Sequence, residues 1–224
     1  MSPLLVSEKT LELNICAEIL SLIRSLSGCH GAFWIGMKQD QEAKNGLDEL
    51  ISNLPAGMHL ALQFKAPRSR SPNHVPYRFT INDRQNDNLL RLATGRPDAA
   101  YYVFPHYNTF TRMRSNSPNL LSDTYFLRVD DLRNLSHSTN RLGTHLVETN
   151  PPIALVHSEP STVKLTVASD MLKSLLGKEK SVLQAILVPH TWLKEWLEGL
   201  IREAEGNRRA VGQRLRGFST FCIS

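Results

Sequence analysis

From about Thr10 to Ser27, apolar residues recur at three- and four-residue spacing, at Leu11, Ile15, Ile19, Leu22 and Leu26, with Gly28 just beyond. The spacing predicts an amphipathic helix with a glycine stop. Ala32 to Ile35 is a short apolar run of strand type, and the polar segment Gln39 to Asn45, ending at Gly46, predicts a turn or short helix. Leu47 to Ser52 and His59 to Ala66 flank Asn53-Leu54-Pro55-Ala56-Gly57, whose Asn, Pro and Gly supply turn chemistry, so a hairpin is expected. In its second strand Leu60, Leu62 and Phe64 fall on one face and Ala61, Gln63 and Lys65 on the other, because side chains alternate with period two.

The Arg-, Ser- and Pro-rich stretch Pro67 to Pro76 reads as a loop, and Tyr77 to Ile81 as a further short strand. Asp83 is the expected N-cap of a helix from Arg84 to about Thr94, closed by Gly95 and Pro97. The nearly unbroken apolar run Ala99 to Phe104, ended by Pro105, predicts a strand buried on both faces. Beyond it the pattern thins. Thr124 to Val129 reads as a strand, Arg133 to Thr149 is polar, Pro151-Pro152 introduces an apolar stretch through Val156, and Val163 to Val167 alternates like an exposed strand. Leu183 to Val188 is apolar. Trp192, Leu193, Trp196, Leu197, Leu200 and Ile201 have helical spacing, and the tail from Asn207 to Arg216 is basic. No period of 20 to 50 residues repeats, which argues against a solenoid.

At 224 residues with 41% hydrophobic and 21% charged residues, the chain has material for one large core and is unlike a disordered polymer. The reading is a core over residues 1–135 and a C-terminal α+β extension over 136–224 on the same domain. A net charge of +5 favours a polyanionic partner. Cys16, Cys29 and Cys222 form no C-x-x-C pair, so neither a disulfide framework nor a zinc knuckle is indicated. No apolar run approaches a membrane span and no opening segment reads as a signal peptide, so a cytoplasmic protein without membrane attachment is expected.

Taken in order, a helix bearing Glu18, Gly46-Leu47-Asp48, Leu62-Gln63-Phe64-Lys65, a helix carrying Gln85 and the strand Tyr101 to Pro105 make up one string of elements. The string resembles the α-β-β-β-α-β core of the PD-(D/E)xK, restriction-endonuclease-like nucleases over roughly residues 10 to 107. It is most similar to branches whose motif reads Q-x-K, as in Mrr-like endonucleases. The resemblance implies an α/β fold with a mixed central sheet and a metal-dependent hydrolase of phosphodiester bonds, on DNA, in restriction or anti-phage defence. It equally accommodates an inactive nuclease-like scaffold that binds nucleic acid or a partner protein in a multi-subunit complex.

That resemblance also assigns roles. Mg²⁺ or Mn²⁺ wants hard oxygen ligands and keeps waters that can attack a phosphodiester. Asp48 would be the principal ligand, Gln63 a neutral ligand through its amide oxygen, and the Phe64 main-chain carbonyl a third. Lys65 would orient the attacking water or stabilise charge on the phosphorane. Glu18 is the candidate helix carboxylate, with Glu12 and Glu42 as rivals; Glu42 stands six residues before Asp48.

Arg68, Arg70, Arg78 and Arg84 surround this region in sequence and suit bidentate phosphate contacts, and Gln85 opens the following helix where it can touch the lysine or the nucleic acid. Phosphate-binding loops of the G-x-x-x-x-G-K-[ST] and G-x-G-x-x-G types, the G-x-S-x-G elbow and H-E-x-x-H are absent from the sequence. His106, just after the buried strand, reads as a strand-end polar residue, and the Trp192/Trp196 stripe as core or partner interface. The oligomeric state, a homodimer included, is left open.

Overall fold

A computed structural model describes residues 5–27, 30–37, 48–54, 58–68, 76–138, 140, 142–158 and 161–176. The polar segment before Gly46, the hairpin turn at Pro55, the helix expected around Trp192 and the basic tail lie outside them, as do Glu42 and Arg70. The chain divides into two units, Met1–Glu179 and Lys180–Ser224. Everything below concerns the first.

Helix α1 (Glu8–Ser27) begins earlier than the apolar spacing alone suggests. Ser7 caps it: its hydroxyl accepts the Thr10 amide at 3.1 Å, satisfying a donor the first helical turn leaves open. The buried stripe is Leu11, Ile15, Ile19 and Ile23, all fully covered, with Leu22 only partly buried at its edge. This stripe packs on one face of a sheet formed by β1 (Phe33–Gly36), β2 (Glu49–Ser52), β3 (Leu60–Phe64), β5 (Ala100–Pro105), β6 (Thr124–Arg128) and β10 (Thr166–Val167), in that spatial order. Strands β1, β2 and β3 form an antiparallel meander, β3 and β5 run parallel, and β6 and β10 return antiparallel.

A parallel pair requires a crossover. Here it is made by β4 (Tyr77–Asn82), the helix α2 (Asp83–Ala93) and a 3-10 turn at Pro97–Ala99. Asn82, not Asp83, is the N-cap of α2, its Oδ1 accepting the Gln85 amide at 3.3 Å. Asp83 is thereby freed to bind elsewhere. All six residues of β5 are buried, as expected of a strand between two neighbours with both faces covered. Leu62, Phe64, Tyr101, Val103 and Phe126 face α1, and Met171 and Leu172 of the helix α4 (Ala168–Leu176) join that core. Gln63, Tyr102 and Phe104 face the other way, where Asn86 of α2 and Phe79 of β4 meet them.

A second, antiparallel sheet has the order β4, β7 (Thr144–Asn150), β8 (Ile153–Val156), β9 (Ser161–Lys164). Of its strands only β7 was hidden, in the polar stretch after Arg133, because two of its inward residues are His145 and Thr149. The expected single strand from Val163 to Val167 is two: buried Leu165 still donates its amide to Pro152 O at 2.9 Å alongside β8, and from Thr166 onward the chain pairs with β6 in the other sheet. Strands after residue 135 pair with earlier ones, β7 with β4 and β10 with β6, so they are part of the same body. A short helix α3 (Phe110–Asn116) and the 3-10 turn Leu120–Asp123 lie between β5 and β6. Among the described residues no helix is long and apolar enough to cross a membrane.

Candidate functional site

The β2–β3 register sets Glu49 opposite Leu62, which continues to Asp48 opposite Gln63. Cross-strand neighbours on one face touch. Asp48 Oδ2 accepts the Gln63 Nε2 amide at 2.5 Å and the Phe64 main-chain N–H at 2.7 Å. The same Nε2 donates to the Phe64 carbonyl at 3.3 Å. Asp48 and Gln63 are 6% and 1% exposed, so neither is a solvated surface polar group. Gln63 in turn stands beside Tyr102 in the parallel ladder, and the Tyr102 hydroxyl reaches Asn86 Oδ1 at 3.4 Å.

Lys65 follows β3 directly, its amide bound to Val103 O at 3.1 Å, and its ammonium acts on the Asp48 charge. The next amide, Ala66, donates to Glu8 Oε2 at 2.8 Å. Glu8 is the carboxylate that the first turn of α1 brings to this edge. Burial pushes the Asp48 carboxyl up to about 7; Lys65, Gln63 and the Phe64 amide oppose that rise, and Glu8 adds to it.

The structure therefore gathers Asp48, Gln63, Lys65 and the Phe64 carbonyl, and adds Glu8. It does not bring Glu18 to them. Ten residues further along α1, about 15 Å of helix rise away, Glu18 Oε2 accepts the Leu121 amide at 3.2 Å and tethers the Leu120–Asp123 turn. Glu12 lies against Lys9 and Glu49 on the α1 face of the sheet. A signal for Glu8 did exist, in Ser7 as an N-cap with an acid directly after it.

The arginines are dispersed. Arg68 is exposed and its amide binds Arg78 O at 2.8 Å; Arg78 pairs with Glu148 at 3.1 Å on the outer face of β4; Arg84 is exposed on the first turn of α2. Gln85 contributes its amide to the cap and is half-buried. His106 is interior: Nε2 meets Thr149 Oγ1 at 2.9 Å, the ring stacks on Tyr77 at 4.2 Å, and burial pulls its pKa down to about 4. Asp83, released from capping, binds His145 Nε2 at 2.5 Å, and His145 Nδ1 meets Ser158 Oγ across β7 and β8.

Among the described residues, no three His, Cys, Asp or Glu side chains converge as a metal cage. The Asp48 cluster offers oxygens of mixed type instead. Gln63 Oε1 is buried without a hydrogen-bond partner while Nε2 faces two oxygens. Amide N and O exchange places by a half-turn of the terminal group. In the reversed orientation the Gln63 carbonyl oxygen would stand next to Asp48 Oδ2 and Phe64 O, a set of hard oxygens that fits a small divalent cation keeping some of its water. No protein-family model matches the chain, and no curated protein matches it either.

Proposed function

We propose that the protein is a metal-dependent nuclease, hydrolysing phosphodiester bonds of DNA at the edge of β3. The observation that carries this reading is the Asp48–Gln63 pair with its orphaned amide oxygen, set next to Lys65 and Glu8. The order helix, three-stranded meander, helix and parallel strand, with these residues at the ends of β2 and β3, supports a restriction-endonuclease-like arrangement. Mg²⁺ or Mn²⁺ would be held by Asp48, the Gln63 and Phe64 carbonyls and, through water, Glu8, and would supply Lewis-acid activation of water and phosphate.

The chain's own groups would do the rest. Lys65 places a compact positive charge beside Asp48, where it can neutralise charge growing on the attacked phosphate. Glu8, held by the Ala66 amide, fixes the backbone that follows Lys65. The net charge of +5 adds long-range attraction for a polyanion.

The test is cleavage of plasmid and single-stranded DNA with Mg²⁺ or Mn²⁺ by wild type, Asp48→Ala and Lys65→Ala. Activity in wild type and its loss in both variants is the expected result. Activity surviving both substitutions would remove these residues from the chemistry. The second reading, a nuclease-like scaffold that binds nucleic acid or a partner without cleaving, draws on the neutral Gln63, which leaves the cluster one charge short of two carboxylates. Intact DNA binding with no cleavage by wild type would favour it.

A further inference from the structure

The β7–β8 ladder reaches Val147 opposite Val156, and the His157 amide carries the pairing one step further by donating to Leu146 O at 3.0 Å. The next opposed residues are His145 and Ser158. They form a pair of the kind that shares no backbone hydrogen bond, in which side chains approach most closely, and Ser158 Oγ meets His145 Nδ1. On its other nitrogen, Nε2, His145 binds Asp83 Oδ1 at 2.5 Å. Asp83 is itself held: Oδ2 accepts the Ser138 amide at 3.0 Å, and the Asp83 main-chain amide donates to Gly143 O at 2.9 Å.

This string of three side chains runs from the interior to the surface. The His145 ring is fully covered, whereas Ser158 stands exposed in the turn between β8 and β9. Because the Asp83 carboxylate accepts from Nε2–H, the free lone pair of the neutral ring is on Nδ1, where the serine hydroxyl donates to it. A hydroxyl set on a base whose other nitrogen is oriented by a carboxylate is an activated nucleophile, and such an arrangement is recognised by these roles and not by sequence position. The other histidine of the turn, His157, faces the outer side of the sheet, where its Nε2 meets Glu148 Oε2 at 3.1 Å.

We propose that Ser158, His145 and Asp83 form a serine acyl-transfer site that hydrolyses thioesters and aryl esters. Ser158 Oγ bonds to the carbonyl carbon as its proton passes to His145 Nδ1, and the carbon–sulfur or carbon–oxygen bond breaks with its electron pair leaving on the thiolate or phenolate. Water then adds to the acyl carbon and gives a proton to solvent, the bond to Ser158 Oγ breaks, and the imidazolium returns its proton to that oxygen as the carboxylic acid departs. Asp83 touches no reacting atom; as a positioning residue it fixes the ring tautomer and favours the imidazolium. The leaving-group class follows from burial. With its ring closed off behind Ser158, His145 takes the hydroxyl proton and gives it back but does not reach a departing group, so that group must be stable as an anion. Alkyl esters and amides, whose leaving groups need a proton, are excluded. Water attacks without a base, so the acyl-serine accumulates. The chemistry draws on no metal ion and does not depend on the nuclease reading of the Asp48 cluster.

A fluorophosphonate probe tests the nucleophile, because its fluoride leaves without a proton. Full-length protein is treated with the probe in EDTA, and hydrolysis of p-nitrophenyl acetate and ethyl acetate is followed alongside. Expected are label on the peptide that carries Ser158, a stoichiometric burst of p-nitrophenolate followed by slow turnover, and no hydrolysis of ethyl acetate. Ser158→Ala, at an exposed position, loses label and burst while melting as wild type does. In Asp83→Asn the Ser138 amide keeps the side-chain oxygen, which turns the NH₂ group toward Nε2 and moves the ring proton to Nδ1. The maximal labelling rate is then expected to fall roughly 10²–10⁴-fold at an unchanged half-saturating probe concentration. An unlabelled wild type, label that survives Ser158→Ala, or an unchanged labelling rate in Asp83→Asn would overturn the proposal and leave the three residues a tether between α2 and the second sheet. Ethyl acetate hydrolysed as fast as the aryl ester would overturn the leaving-group class. If Asp83→Asn fails to fold, Ser158→Ala decides alone.

Discussion

Asp48 Oδ2 takes the Gln63 side-chain amide and the Phe64 main-chain amide together, at 2.5 and 2.7 Å, so the carboxylate is held by the strand that carries its proposed co-ligand. Replacing the neutral partner tests what this pairing is for. Gln63→Glu places a second carboxylate against Asp48 in a buried position, which is repulsive without a cation and favourable with one. The expected outcome is a lower melting temperature in EDTA and a gain on adding Mg²⁺ larger than the wild-type gain, with Mg²⁺ affinity raised about tenfold. Thermal melts with and without Mg²⁺ measure both. Equal responses of variant and wild type would show that no cation visits this pair.

Lys65→Ala is expected to lower the cleavage rate by roughly 10²–10³ while leaving Mg²⁺ affinity within a few-fold, since the ammonium acts on the phosphate and not as a ligand. Single-turnover cleavage alongside calorimetric metal titration separates the two effects. A matching loss of metal binding would place Lys65 in the structure of the site instead.

Glu8 and Glu18 differ in prediction as they do in position. Glu8→Gln is expected to weaken cleavage about tenfold or more with little change in stability, because Glu8 sits beside Asp48 and at the Ala66 amide. Glu18→Gln is expected to leave cleavage unchanged and to cost about 1 kcal/mol or less of stability through the Leu121 contact. Reversal of these two phenotypes would restore Glu18 to the site.

The raised Asp48 and Glu12 carboxyls, each at about 7, set a pH dependence. The folded protein holds these protons more strongly than the unfolded chain does. Their contribution to stability is therefore full below the ordinary carboxylate range, near pH 4, and is lost as pH rises through about 7. In EDTA, chemical-denaturation stability is expected to fall across that window, less so in Asp48→Asn. Saturating Mg²⁺ should flatten the Asp48-dependent part of the fall by taking the place of its proton. A rise in the Asp48- and Glu12-dependent part of stability across the window would contradict the burial assigned to these groups.

Asp83 ties the N-terminus of α2 to His145 of the second sheet, and Gly143 makes this approach possible, with φ at +55° and room for no more than a tight Cβ, 3.2 Å from Asp83 Oδ2. Asp83→Ala leaves the His145 side chain buried without that partner and is expected to destabilise the protein by about 1–3 kcal/mol. Urea titration reads the loss, and hydrogen exchange should show it concentrated in α2 and β7.

The sequence by itself carried the elements whose local period is strong. The spacing from Leu11 to Ile19 marked a helix, the nearly unbroken run Ala99 to Phe104 marked a strand covered on both faces, and the two-residue alternation put Gln63 on the face of β3 away from Leu62 and Phe64. Those signals are legible because each is written within a few consecutive residues. Pairing between distant segments is not written that way. Asp48 meets Gln63 only because β2 and β3 adopt one register, and Glu8, not Glu18, reaches Asp48 because Ser7 starts the helix early and the long-range packing of α1 fixes which turn overlies the β3 edge. Strand β7 escaped the pattern for a related reason: His145 and Thr149 face inward, and a polar residue looks like a surface residue until Asp83 and His106, more than forty residues away, supply their partners. The hydrophobic pattern decides which face of an element is buried; what a buried polar group is for is decided by the partners that only the tertiary structure brings to it.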